Sequence, residues 1–212
     1  TERKEIYQKY AKELIKKDKA YYCFATKEEI QEARDIAESA GEQFRFRSPS
    51  REMSLVEAEQ RIQNGEEFVV RLKVPAGREI DFEDKLQGKM TFRSDEVDDT
   101  VLLKSDGFPT YHLAVVIDDQ LMGVTHVLRG VEWIPSIPKH VLIYEAFGWK
   151  QPHFIHLPLI LDPDGGKLSK RKGSVSAKDF LAQGYPPEAV INFLMLLGWS
   201  SPIKHEFGEK ER

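Results

Sequence analysis

The second half of the chain constrains the fold most, because short apolar segments there alternate with a helix bounded by proline and glycine. Residues 126–129 and 154–160 are typical of buried strands. Between them, Pro138 lies near the first turn of a predicted helix that Gly148 ends. This strand–helix–strand order predicts a parallel α/β sheet. The mostly apolar run 111–117 predicts a further buried strand.

The first half of the chain predicts shorter elements with clear local signals. Apolar residues at spacings of three and four predict a helix over 2–17. Thr26 and Glu29 form a capping box that predicts a helix over 27–39. Further predicted elements are a strand over 21–24, a helix from the capping box Ser54–Glu57 to about Gln63, and strands over 68–74, 90–92 and 100–103. Residues 19–103 therefore predict a compact α+β segment.

Composition excludes several classes of protein. The 212 residues include 31 Lys and Arg against 35 Asp and Glu, so the net charge of −4 excludes a uniformly basic nucleic-acid-binding surface. A single cysteine, Cys23, excludes an internal disulfide and a cysteine-rich zinc site, and predicts a small core residue. The longest apolar run, 189–199, is too short to span a membrane.

A cationic loop follows the predicted strand at 154–160. The turn Asp-Pro-Asp-Gly-Gly precedes Lys167, Lys170, Arg171 and Lys172, with Ser169 between two of the lysines. A cationic loop at the end of a sheet strand can neutralise charge on a polyphosphate. A solvated basic turn is the alternative interpretation.

These residues resemble a known family. Lys-Leu-Ser-Lys-Arg at 167–171 resembles the KMSKS signature of class I aminoacyl-tRNA synthetases, in the variant typical of bacterial-type glutamyl-tRNA synthetases. The resemblance is strongest over 100–199 and recognisable over 1–75. Three more segments resemble that family in the same order, namely 106–119, 122–130 and 138–149.

The resemblance implies an α/β fold, the second half of a class I synthetase Rossmann fold with inserted and appended parts. The implied domains are 1–18 as the last helix of the first Rossmann half, 19–103 as an inserted α+β tRNA acceptor-binding domain, 104–160 as the second Rossmann half, and 161–212 as the KMSKS-like loop with the start of a helical stem-contact domain. The family's HIGH motif and its anticodon-binding region do not occur in the sequence. We therefore expect an internal piece of a longer cytoplasmic protein.

The implied activity is that of a glutamate–tRNA ligase. ATP would activate L-glutamate as an adenylate, and the glutamyl group would pass to the 3′ end of tRNA(Glu), bound through its acceptor stem. Mg²⁺ would accompany ATP, and members of the family generally need bound tRNA before they activate glutamate. We expect no zinc, no membrane association and a monomer.

The resemblance also assigns roles to residues. Arg129 would bind the glutamate carboxylate, a task that suits a planar guanidinium. Tyr111 and Val115 would line the same pocket, although Tyr111 alone is equally consistent with a core aromatic, and some members have Asn where Val115 stands. ATP binding is implied for Glu132, Trp133, Leu159, Ile160, Lys167 and Lys170, catalysis for Lys167, Ser169 and Lys170, and tRNA binding for Lys104, Ser105 and Arg171.

Other polar residues are open to two interpretations. His112 and His126 flank the implied pocket, and each is either structural or functional. His140 is predicted on a helix surface, whereas His153 and His156 are predicted on opposite faces of one strand, which makes them a poor metal pair. The pair Asp118-Asp119 is either a metal-binding pair or a turn device at a strand end.

Two other functions remain open. One is a synthetase-like protein that glutamylates a modified tRNA base, and the other is a non-catalytic tRNA-binding module. The 19–103 segment and the 167–171 loop favour the full synthetase, and the net charge argues against the module.

We predict that the isolated 212-residue chain does not catalyse adenylate formation, because the nucleotide-binding HIGH motif is absent from it. The measurement is ATP–pyrophosphate exchange with glutamate and tRNA present. Turnover by this chain would contradict the prediction.

Overall fold

The computed structural model describes residues 2–159 and 176–196. The helices in these ranges are α1 (Lys4–Lys16), α2 (Lys27–Ser39), α3 (Leu55–Gln63), α4 (Tyr111–Leu121), α5 (Ile137–Phe147), α6 (Ala177–Ala182) and α7 (Pro187–Met195). The strands are β1 (Ala20–Cys23), β2 (Val69–Leu72), β3 (Glu79–Asp84), β4 (Gly88–Arg93), β5 (Val101–Leu103), β6 (His126–Gly130) and β7 (His153–Leu157). Short 3-10 turns cover Pro49–Glu52, Ser94–Glu96 and Val131–Ser136.

Local signals begin and end the helices where the sequence predicts. Thr26 Oγ1 accepts the backbone N–H of Glu29 at 3.2 Å, and the N–H of Thr26 donates to Glu29 Oε2 at 2.8 Å, which confirms the first capping box. Ser54 accepts the N–H of Glu57 at 3.2 Å, one half of such a box. Gly148 ends α5 with φ of 73°, a left-handed conformation that glycine adopts without a Cβ penalty.

The strands form two sheets. The first has the order β1-β2-β5 with antiparallel neighbours, and the second has the order β4-β3-β7-β6. In the second sheet β3 pairs antiparallel with β4 and parallel with β7, where Asp84 is opposite Phe154. The sheet is therefore mixed, and not purely parallel as the sequence predicts. Strand β3 escapes sequence prediction although its residues alternate strictly between exposed and buried.

The chain divides into two compact units. The first contains residues up to Leu128 together with Trp133–Ile155, and the second contains Arg129–Glu132 and the residues from His156 onward. Strands β6 and β7 each continue from the first unit into the second. The implied domain boundaries remain a prediction.

The core of the first unit lies between helices and sheet. Ala11 and Leu14 of α1, Ile117 of α4, and Val141 and Ile143 of α5 are each fully buried. Each large apolar side chain of this kind stabilises the fold by about 1.5–3 kcal/mol. Cys23 is also buried, at 1% exposure, which confirms the prediction of a core residue.

The segment predicted as a strand over 111–117 is helix α4 instead. Leu113, Val116 and Ile117 are its buried residues, and their spacing of three and four is helical. A continuous apolar run fits a buried strand and a buried helix equally well by periodicity, so the sequence alone could not separate the two. The prediction of a strand here was wrong.

Asp118 therefore lies in a helix and not at a strand end. Its carboxylate accepts hydrogen bonds from Arg3 Nη2 and from the Tyr7 hydroxyl, each at 2.7 Å. Burial, followed by the hydrogen bond to Asp118, raises the pKa of Tyr7. These contacts join α1 to α4, so the carboxylate of Asp118 has a structural role, but it is not the turn device at a strand end that the sequence predicts.

The most buried charge in the first unit is the carboxylate of Asp99, which is fully buried. It pairs with Arg51 Nη1 at 2.8 Å, and it accepts the Tyr21 hydroxyl and the N–H of Val74, each at 3.0 Å. The backbone oxygen of Asp99 accepts Arg71 Nη1 at 2.8 Å. Burial, together with the charge of Asp99, raises the pKa of Tyr21 well above its usual value. The carboxylate thus connects three separate segments to β5.

We predict that Asp99→Leu destabilises the chain by about 3–5 kcal/mol, because it removes the buried carboxylate that pairs with the nearly buried Arg51. The matched control is Asp98→Ala, which removes the half-exposed ion pair with Lys139 and is expected to cost less than about 1 kcal/mol. Urea denaturation measures both free energies of unfolding. Equal losses in the two variants would contradict the prediction.

Candidate active site

Two residues with implied substrate roles meet in the first unit. Tyr111 begins α4, and Trp133 lies in the 3-10 turn Val131–Ser136. Their ring centroids are 4.8 Å apart, and the side chains are 45% and 36% exposed. The two rings therefore form a partly exposed aromatic surface, so the alternative of a buried core aromatic does not hold for Tyr111.

Val115 follows Tyr111 by one helical turn. Residues four apart lie on the same face of a helix, about 6 Å along its axis. In the predicted strand they would also have shared a face, but about 13 Å apart. The helix thus brings Tyr111 and Val115 close enough to line one small pocket, and Val115 is half-buried there.

A pair of histidines lies beneath this surface. His112 Nδ1 and His140 Nε2 are 3.1 Å apart, a hydrogen bond in which one nitrogen donates and the other accepts. His140 is only 2% exposed, so the prediction that it lies on a helix surface was wrong. Its helix, α5, buries residues on almost every side and presents little surface to solvent at that position. The Tyr111 ring lies near both imidazoles, at centroid distances of 5.9 and 6.0 Å.

The second unit contains Arg129, near the end of β6. Its Nε donates a hydrogen bond of 3.2 Å to Nε2 of His156 on β7. His156 is fully buried, whereas His153 on the same strand is exposed, which confirms their predicted opposite faces. A guanidinium can only donate, so Nε2 of His156 holds its lone pair and the ring proton is on Nδ1. Arg129 itself is half-buried.

Glu132 folds back against the backbone just before it. A Cβ placed on Gly130 would lie 2.7 Å from the Glu132 carboxyl carbon. With the Glu132 side chain in this position, only glycine fits at position 130. The short segment Arg129–Glu132 thus holds two of the residues with implied substrate roles, both in the second unit.

Several implied site residues lie at or beyond the edge of the described structure. Leu159 follows β7 and is half-buried. The implied site residues outside the described ranges are Ile160, Lys167, Ser169, Lys170 and Arg171.

The residues implied in tRNA binding, Lys104 and Ser105, form a turn after β5. The N–H of Lys104 donates to the oxygen of Phe108 at 2.9 Å. Asp106 closes the turn by accepting the Phe108 N–H at 2.9 Å and Lys104 Nζ at 3.0 Å, and these two contacts lower the pKa of its carboxyl. Lys104 and Ser105 also line a groove of about 220 Å³ together with Lys12 of α1.

Neither a metal cluster nor a membrane helix is found in the described ranges. No group of three or more His, Cys, Asp or Glu side chains there could hold a metal ion. Of the helices in residues 2–159 and 176–196, none is long and apolar enough to cross a bilayer.

Sequence reasoning missed two buried histidines, one in each unit. His140 and His156 are both buried polar residues, and each hydrogen-bonds a residue at or beside the implied glutamate pocket. The available signal was a histidine within an apolar segment, since a buried polar group needs a partner. The identity of that partner depends on tertiary packing.

The whole chain, residues 1–212, matches the family model described as "tRNA synthetases class I (E and Q), catalytic domain". Two curated relatives are the glutamate–tRNA ligases of Finegoldia magna, 50% identical over 97% of this chain, and of Chlamydia muridarum, 50% identical over 100% of it. The chain spans 42% of the length of each of these relatives.

Solved structures give the same result. The crystal structure of a glutamate tRNA ligase from Elizabethkingia meningosepticum in complex with its amino acid is similar, with a TM-score of 0.81 and 39% identity. A glutamate-tRNA synthetase from Elizabethkingia anophelis has a TM-score of 0.80 and 38% identity. The matches cover 94% and 95% of this chain and 45% and 46% of those chains.

We predict that His140→Phe destabilises the chain by about 1–3 kcal/mol, because the ring volume is kept while the bond to His112 is lost. The matched control is His126→Phe, an exposed position where we expect a change within about 0.5 kcal/mol. Urea denaturation at neutral pH gives both values. A His140 variant as stable as the control would show that the histidine pair contributes nothing to the packing of α4 on α5.

Proposed function

Because this chain belongs to the catalytic-domain family of the class I tRNA synthetases for glutamate and glutamine, with the mixed α/β fold of that family, we propose that it forms part of a glutamate–tRNA ligase. The observation that supports the proposal most is 50% identity, along essentially the whole chain, to glutamate–tRNA ligases. The substrates would be L-glutamate, ATP and tRNA(Glu), and the site of action the cytoplasm.

Arg129 would hold the carboxylate side chain of glutamate, with Tyr111 and Val115 lining the pocket. A guanidinium forms two parallel hydrogen bonds to a carboxylate, which carries the opposite charge. The neutral amide of a glutamine substrate does not offer the guanidinium the same two charged acceptors. Such a contact favours glutamate over glutamine. Its selectivity depends on a fixed guanidinium plane.

The α-carboxylate of glutamate would attack the α-phosphate of ATP, forming a carboxyl–phosphate bond while the bond to pyrophosphate breaks. Glu132, Trp133, Leu159 and Ile160 would position the nucleotide, and Lys167, Ser169 and Lys170 would stabilise the phosphate charge that develops. Mg²⁺ accompanying ATP would neutralise further phosphate charge.

In the second step a terminal ribose hydroxyl of tRNA would attack the glutamyl carbonyl. The ester forms, the hydroxyl proton is released and AMP leaves. Lys104, Ser105 and Arg171 would contact the tRNA acceptor end, and Lys104 lines one groove of the first unit together with Lys12.

In the full-length gene product, we expect Arg129→Ala to lower kcat/KM for glutamate by about 100-fold or more, because the charged bidentate contact is lost. Lys170→Ala should instead lower kcat by about 100-fold, since its charge acts on the transition state. Lys150→Ala, at an exposed position, is the matched control and should change neither value by more than about twofold. Charging of tRNA with labelled glutamate measures all three.

A wild-type protein that charges no tRNA with glutamate would refute the proposed function. Glutamate attached to an internal modified base, with the 3′ end left free, would point to a base-modifying transferase. Salt-dependent tRNA binding that is indifferent to ATP and glutamate, without charging, would indicate a binding module.

A further inference from the structure

We propose that His156 is the positioning residue of Arg129, and that it makes the arginine bind its carboxylate through the two terminal Nη nitrogens. This inference rests on the proposed function and names a group that the sequence does not assign to the site. It follows from one hydrogen bond, from the burial of its acceptor and from the donor chemistry of the guanidinium.

A guanidinium can form two-pronged contacts along more than one edge. One edge presents the two Nη groups, and another presents Nε with one Nη. In this structure Nε–H of Arg129 donates to Nε2 of His156 at 3.2 Å. A carboxylate bound bidentately must therefore use the Nη edge, which fixes the direction from which the substrate approaches.

His156 suits this task because it is immobilised. It is fully buried on β7, on the same face of the strand as the buried Phe154. A buried imidazole in a packed strand has one rotamer and one ring plane, so its lone pair points in one direction. Arg129, by contrast, is half-buried on β6 and has a long side chain with many possible rotamers.

The bond also requires one particular tautomer of the histidine. Nε2 must be unprotonated to accept from Arg129, so the neutral Nδ1–H tautomer is required. A doubly protonated imidazolium would offer no lone pair and would place a second cation against the guanidinium.

The kinetic test compares His156→Leu, which removes the acceptor, with His156→Gln, whose amide oxygen can replace Nε2. The assay is tRNA charging by the full-length gene product with varied L-glutamate and, separately, varied ATP. We expect His156→Leu to raise KM for glutamate by roughly tenfold or more, as expected when a hydrogen bond to a charged group is lost. KM for ATP should stay within about twofold, and His156→Gln should recover most of the loss.

The matched control is His153→Leu, the same substitution three residues earlier on the exposed face of β7. It should leave both KM values unchanged. A merely structural role for His156 predicts a different result, namely a lower melting temperature and lower kcat with all substrates affected alike. That result, or a His156→Leu variant with wild-type KM for glutamate, would overturn the proposal.

A spectroscopic test does not depend on activity or on the leucine variant folding. In the full-length gene product with ¹⁵N-labelled histidine, the His156 ring should show an unprotonated Nε2 and a protonated Nδ1. Arg129→Lys should shift that Nε2 resonance and leave the signals of His153 in place. The opposite tautomer, or no response to Arg129→Lys, would overturn the proposal.

The two tests separate this inference from the proposed function. If the wild-type protein charges no tRNA with glutamate, the proposed function fails, while the tautomer and its response to Arg129→Lys still decide whether His156 orients Arg129. If charging occurs and KM for glutamate is unaffected by His156→Leu, only the positioning role fails.

Discussion

The arrangement of the first unit depends on one buried carboxylate. Asp99 precedes β5 and has no contact with solvent, and Arg51 Nη1 lies against its carboxylate at 2.8 Å. Isolated buried charges are expensive, and only a complete set of partners makes this one tolerable. Tyr21 and the Val74 N–H complete the set. The carboxylate of Asp99 thereby fixes three segments next to the start of β5, namely β1, a 3-10 turn and the end of β2.

The candidate site begins directly after β5. The chain turns at Lys104, closes that turn with Asp106 and enters α4 at Tyr111. The position of Tyr111 is therefore set from two sides, by the strand that leads to it and by the pair Arg3–Asp118 that ties the far end of α4 to α1. Residues outside the implied glutamate pocket thus determine where Tyr111 lies.

Local chemistry allowed much of this fold to be predicted from the sequence. Thr26 and Glu29 cap α2 through atoms three residues apart, and Gly148 ends α5 through its own backbone freedom, so neither depends on distant parts of the chain. Prediction failed at 111–117, where an apolar run specifies burial without specifying a period. It also failed at β3, whose short apolar alternation is interspersed with acidic residues.

The residues of the candidate site also include some that the sequence could assign and some that it could not. Tyr111 and Arg129 were assigned by resemblance to a family, and their roles remain proposals. His140 and His156 were not assigned, because their importance arises only when strands and helices distant in sequence bring a ring nitrogen to 3.1 or 3.2 Å of a partner. Spacing along a chain predicts which face a residue occupies, but it does not predict a tertiary hydrogen bond.

The pairing of β3 with β7 limits how this chain could be truncated. The N–H of Lys85 donates to the oxygen of Phe154 at 2.9 Å, so a hairpin from the 19–103 segment shields the flank of β7. Removing that segment as a module would expose the backbone of β7 beside the buried Phe154. Exposed strand edges of this kind recruit other chains, so a trimmed version would tend to self-associate. The segment thus covers part of a strand edge as well as contributing to the fold.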